Sequence, residues 1–152
     1  MPASDATVYS IRILVKRYII YMNHQERIDF IREGIQTLSG NWADFGSGTG
    51  LFTHAIAEIL DTRATIFSID KSRSSLHKQE QKFNGMQNIP SIHFLYRDFT
   101  GSLSLPPLKG IIMANALHYI EAKAELISKF LNYLKENGRF ILVEYNIVRG
   151  NS

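Results

Sequence analysis

A chain of 152 residues, 45% of them hydrophobic, is sized for one domain around one core and is too apolar to be disordered. Its formal charge of +3 comes from scattered Lys and Arg, with Lys16-Arg17 the only adjacent basic pair, so a nucleic-acid partner is not favoured. With no Cys there is no disulfide framework, thiolate nucleophile or thiolate metal site.

The opening MPASDATVYS lacks the charged start and apolar stretch of a signal peptide. Arg12, Lys16 and Arg17 interrupt the next apolar run, so no membrane span is expected and the cytoplasm is the expected location. Residues 1–10 read as a flexible lead and residues 11–40 as an N-terminal helical segment. Ile11, Leu14, Val15, Tyr18, Ile19 and Met22 form a helical stripe, although Ile11, Ile13 and Val15 also alternate as a strand would. Asn23 with Glu26 three residues on is an N-cap signal for a helix from about His24 to Leu38, stopped by Ser39-Gly40.

From Asn41 the pattern changes. Short apolar runs at 41–45, 64–69, 92–96, 110–114 and 139–145 read as five strands. Amphipathic stretches at 51–60, 72–84 and 121–134 read as helices, with stops at Gly85 and Asn137-Gly138. Strands alternating with helices predict an α/β fold: a doubly wound, mainly parallel sheet, helices on both faces, preceded by N-terminal helices. The predicted strand order is 3-2-1-4-5, with the ligand crevice at the switch point between strands 1 and 4.

The stretch WADFGSGTG lies at the first strand-to-helix turn. Gly46, Gly48 and Gly50 let a ligand approach bare backbone, and the following helix start offers N–H groups to an anionic moiety. The dinucleotide fingerprint G-x-G-x-x-G would need glycine at position 51, where Leu51 stands, so a nucleotide-dependent dehydrogenase is disfavoured.

Asp44-Phe45-Gly46-Ser47-Gly48-Thr49-Gly50 resembles the first motif of the class I S-adenosylmethionine-dependent methyltransferases. Asp70 at the end of strand 2, Asp98-Phe99 after strand 3 and Asn115-Ala116-Leu117-His118 after strand 4 continue the likeness, over about residues 24 to 146. The resemblance implies one methyltransferase-like domain over 1–152, with the cofactor-binding core at 41–146 and S-adenosyl-L-methionine as cofactor. It implies that Asp70, with Lys71 beside it, meets the ribose hydroxyls. Asp98 would meet the adenine amino group, with Phe99 against the ring. Asp44, Ser47, the glycines and the Asn115 carbonyl would hold the amino-acid end.

Methyl transfer from a sulfonium needs alignment more than acid–base chemistry, and no obligatory catalytic set is visible. His118 is the candidate base, set against the packing or substrate-shaping part this position often has in the family. Tyr21, Tyr119 and Tyr145 are candidate pocket walls. The histidines at 24, 54, 77, 93 and 118 lack close metal-ligand spacing such as two on one helical turn, so no metal site is expected.

The strand-4 motif lacks the Asp/Asn-Pro-Pro-aromatic run of enzymes that methylate amino groups of nucleic-acid bases, and the lack of Cys excludes cytosine C5 chemistry. The motif is closest to the small-molecule group, so transfer to a small-molecule acceptor is expected. Relatives continue past strand 5, whereas this chain stops seven residues after Tyr145. The edge of strand 5 is then expected to be covered by a partner, by a second copy in a homodimer, or by the N-terminal segment. An alternative follows: a catalytically weak or inactive binding module that pairs through that edge.

Overall fold

The computed structural model describes residues 10–17, 22–117 and 120–146. Among these residues, six strands and four helices follow in the order β1 (Ser10–Arg17), α1 (His24–Arg32), β2 (Asn41–Phe45), α2 (Leu51–Ile59), β3 (Thr65–Asp70), α3 (Arg73–Phe83), β4 (Ser91–Tyr96), β5 (Leu108–Ala114), α4 (Lys123–Leu131) and β6 (Leu134–Asn146). The strands form one sheet in the order β1-β6-β5-β2-β3-β4, and every pairing is parallel. Counted from β2, the five core strands stand in the expected order 3-2-1-4-5.

Side-chain alternation along the strands builds two cores. Trp42, Ile66, Ile112 and Ile141 point to one face, under α1, α2 and the end of α3. Ala43, Ile69, Ile111 and Phe140 point to the other, under Leu126 and Phe130 of α4. Both faces are covered, which is why the central strands read as near-continuous apolar runs. Trp42 needs Gly110 on the neighbouring strand, where a Cβ would come within 2.1 Å of the indole.

The N-terminal segment departs from expectation. Residues 10–17 are not the start of a helix but a strand, in register from Ser10 opposite Arg139 to Arg17 opposite Asn146. The helical stripe loses to the ladder: the edge of β6 has a row of backbone groups to satisfy, and Ile11, Ile13 and Val15 supply the matching period of two. Of the three covers expected for the edge of the last strand, a partner, a second copy or the N-terminal segment, the chain's own N-terminal segment takes it. A partner adding a strand to this sheet would displace β1 or join at β1 or β4.

The second N-terminal helix is present. Asn23 caps α1 as a capping box, its Oδ1 accepting from the Glu26 N–H at 2.9 Å while Glu26 accepts from the Asn23 N–H at 2.9 Å. This helix ends at Arg32 instead of Leu38, before Gly34, where a Cβ would come within 2.8 Å of Ile141. Helix α4 also ends early, at Leu131, and Asn137-Gly138 does not stop it. Those residues lie where the pairing of β6 with β5 jumps from Leu134 to Arg139, with Asn137 in the left-handed region at φ 59°.

Candidate functional site

The site begins at the carboxyl ends of β2, β3 and β5. The turn from β2 into α2 is closed by its own backbone. Ile69 O accepts from the N–H groups of Gly46 at 2.8 Å and Ser47 at 3.0 Å, and Ser47 O accepts from Gly50 N–H at 3.0 Å. Gly48 N–H donates to Asp70 Oδ2 at 2.8 Å. The glycines were expected to hold the amino-acid end of the cofactor; the N–H groups of all three, and that of Ser47, are instead spent on the turn. The bare backbone has a packing reason first: a Cβ on Gly46 (φ +70°) would lie 2.9 Å from Ala116 Cβ, and one on Gly50 (φ +87°) would lie 2.7 Å from Gln79. At Gly48 a Cβ would meet nothing within 4 Å, so that stretch of backbone is open to a ligand.

Asp70 ends β3 and ties two elements together. Besides Gly48, it accepts through Oδ1 from the Ser72 N–H at 2.7 Å, at the cap of α3. Each oxygen thus holds one backbone donor and keeps a second lone pair.

Beneath the turn runs a buried polar network absent from the sequence reading. The Thr53 hydroxyl donates to Asp44 Oδ2 at 2.7 Å and lies 3.2 Å from the Ser68 hydroxyl. Ser68 Oγ is 2.7 Å from Gln79 Oε1 and 2.8 Å from Ser47 Oγ, while Gln79 Nε2 donates to Ser47 Oγ at 2.9 Å and Gly48 O at 2.7 Å. A hydroxyl carries one proton, and one assignment serves every contact except the 3.2 Å approach of Thr53 to Ser68: Thr53 to Asp44, Ser68 to Gln79, Ser47 to Ser68. Asp44, Thr53, Ser68 and Gln79 are all buried. The signal was present as polar residues at apolar positions: Ser68 inside TIFSID, Thr53 inside LFTHAIAEI, and Gln79 between Leu76 and Phe83 on the buried face of α3. Burial pushes the Asp44 carboxyl up to about 7, against the lowering effect of the Thr53 hydroxyl and with a smaller push from the Asp70 charge.

Two cavities open on either side of this turn and meet along Gly46, Ala114 and Asn115. One, of about 330 Å³, is lined by Asp44, Ser47 and Gly48, with Met22 and Arg27 of the N-terminal segment as its far wall. The other, of about 340 Å³, is lined by Asp70, Lys71, Asp98, Phe99 and Ile120. Asn115 stands at the junction with φ 54°, its N–H donating to Val143 O at 2.9 Å. Asparagine tolerates this left-handed backbone better than other non-glycine residues, and Asn88 and Asn137 adopt it elsewhere in the chain.

Nine of the ten expected binding residues therefore line one cavity or both. Gly50 lines neither and packs on Gln79. His118, Tyr119 and Tyr21, and the side chain of Tyr145, lie outside the described residues. Asp98 is fixed by Thr100, whose N–H and hydroxyl donate to Oδ1 at 2.9 and 2.7 Å; the hydroxyl first, then the N–H, holds its carboxyl below the usual range. Phe99 packs among Phe45 and Phe130, at centroid distances of 6.3 and 5.9 Å. Arg27 was missed because nothing in its neighbourhood marks it. Its guanidinium donates to Met22 O, and its Nε is buried without a partner among the described residues.

A parallel sheet that places a glycine turn, two strand-end acids and paired cavities at its switch point defines a class of nucleoside-binding α/β domains. Residues 39–151 match a family described as a methyltransferase domain, and the chain belongs to that family. No curated protein matches it significantly. Among solved structures, it is similar to coclaurine N-methyltransferase bound to N-methylheliamine and SAH (15% identity, TM-score 0.68, covering 78% of this chain and 35% of that one). It is similar to an S-adenosylmethionine-dependent methyltransferase from Clostridium acetobutylicum (22% identity, TM-score 0.63, 80% and 50%). A mycolic acid cyclopropane synthase complexed with SAH and CTAB is also similar (17% identity, TM-score 0.65, 76% and 40%). At these identities the likeness is one of fold, and the chain spans about a third to a half of their length.

Proposed function

We propose that this domain binds S-adenosyl-L-methionine across the two cavities and directs its methyl group to a small-molecule acceptor. The observation that carries this reading is the meeting of the cavities at Gly46 and Asn115, with Asp70 and Asp98 on one side and Arg27 with Asp44 on the other. An adenosine moiety suits the side with Asp70, Asp98 and Phe99. The spare lone pairs of Asp70 suit vicinal hydroxyls, and the free Asp98 oxygen suits an exocyclic amine. An amino-acid moiety suits the other side. The Arg27 guanidinium faces a carboxylate there, and Asp44 with the Asn115 carbonyl faces an ammonium. The residues fit the group in one further respect: open space lies over Gly48, which lines the Arg27 cavity.

The cofactor supplies a methyl group already activated on a sulfonium. The residues of this chain hold it in one orientation, exclude water and leave the acceptor an in-line approach. An acceptor of high pKa also needs a base, for which His118 is the candidate. The two SAH-bound relatives support the cofactor, and the N-methylheliamine bound with SAH in coclaurine N-methyltransferase supports the acceptor class. No described helix is long and apolar enough to cross a membrane, and a cytoplasmic location is part of the same proposal. Transfer of labelled methyl from S-adenosylmethionine to a metabolite extract tests the activity. Label in a small product supports it; tight cofactor binding with no transfer to any fraction would favour a binding module.

A further inference from the structure

A second cluster of chemistry-bearing side chains lies between α1 and α2. His24 is the first residue of α1, and His54 and Glu58 are one turn apart on α2. Their ligand atoms all lie within 4.8 Å of one another. His24 Nε2 contacts Glu58 Oε2, and the imidazoles of His24 and His54 stack with centroids 4.1 Å apart and planes 23° apart. The opposite nitrogen of His24, Nδ1, is buried with no partner among the described residues. Phe83 meets the His54 ring edge-on at 5.6 Å and walls the cluster from α3.

We propose that His24, His54 and Glu58 bind a zinc-class divalent transition ion that staples α1 to α2. Two neutral imidazoles and one carboxylate are a donor set that zinc takes with a water in the fourth position, whereas magnesium and calcium prefer all-oxygen shells. Tetrahedral coordination at the usual bond lengths sets donor atoms about 3.4 Å apart, so the widest gap here closes by at most about 1.4 Å. Side-chain rotation covers that distance, since Glu58 is exposed and His24 is partly so. Histidine spacing alone hid the site because the partner one turn along from His54 is a carboxylate.

The role this gives the ion is structural. His24 sits one helical turn before Arg27, so a bond from α1 to α2 fixes the wall of the Arg27 cavity. The test is calorimetric titration of the metal-free full chain with zinc chloride, with magnesium chloride in parallel. Saturable binding of one zinc per chain is expected, with a rise in thermal midpoint and no response to magnesium. His54→Gln and Glu58→Gln are each expected to weaken zinc by about tenfold or more while circular dichroism stays native; His77→Gln, on the exposed face of α3, is expected to leave it unchanged. Absence of saturable zinc binding by the wild type overturns the proposal, as does zinc binding that survives both variants or is lost in His77→Gln. Because the readouts are binding and melting, failure here is distinguishable from failure of cofactor binding.

Discussion

Asp70 Oδ2 accepts from the Gly48 N–H at 2.8 Å, across 22 positions of sequence, so the acid at the tip of β3 holds the glycine turn at the tip of β2. One carboxylate both builds the turn and faces the cavity. Its removal must show in stability as well as in affinity. Asp70→Ala is expected to weaken S-adenosylhomocysteine by roughly 10–150-fold, the equivalent of about 1.5–3 kcal/mol for charged hydrogen bonds. It should also lower the midpoint of urea unfolding without ligand. A folded variant with unchanged affinity would remove Asp70 from the site.

The glycines of the turn separate by mechanism. Gly46→Ala places a methyl 2.9 Å from Ala116 at a positive φ, combining overpacking with backbone strain. Gly48→Ala carries only the backbone strain, because nothing lies within 4 Å of its Cβ position. Denaturant unfolding should show Gly48→Ala losing about 1–2 kcal/mol and Gly46→Ala clearly more. The reverse order would mean that the turn is not packed as described.

The buried carboxyl of Asp44 makes a pH prediction of definite sign. Its folded value of about 7 lies above the ordinary 3.8, so between these the folded state binds the extra proton. Stability from this group is full below about pH 4 and falls as pH rises toward 7. Asp98 works in the opposite sense, its depressed carboxyl losing its contribution as pH falls below the ordinary range. Urea unfolding across pH 4 to 8 should show the wild type losing stability relative to Asp44→Asn. Parallel profiles would show that Asp44 ionises normally.

Arg27 is expected to read the amino-acid end of the ligand. Arg27→Ala should weaken S-adenosylhomocysteine by roughly 10–150-fold and leave methylthioadenosine, which lacks the carboxylate, unaffected. Equal losses for both ligands would place Arg27 in a purely structural part.

The order of the five core strands and nine lining residues were legible because each rests on local chemistry: apolar runs, glycines, acids at strand tips. The buried network was not, since Thr53, Ser68 and Gln79 acquire partners only when β3, α2 and α3 converge. Nor was β1, where Ile11 to Val15 satisfied both periods until the β6 edge decided between them. Arg27 and the His24–His54–Glu58 cluster belong to the same category, since the packing of α1 on α2 and on the cavity gives them their neighbours.

The central claim is that the paired cavities form one site for an adenosyl amino acid. Calorimetric titration of the wild-type chain with S-adenosylhomocysteine, and separately with NAD, tests it most directly. One-to-one binding of the first and none of the second is the predicted result; NAD bound with S-adenosylhomocysteine ignored would contradict it.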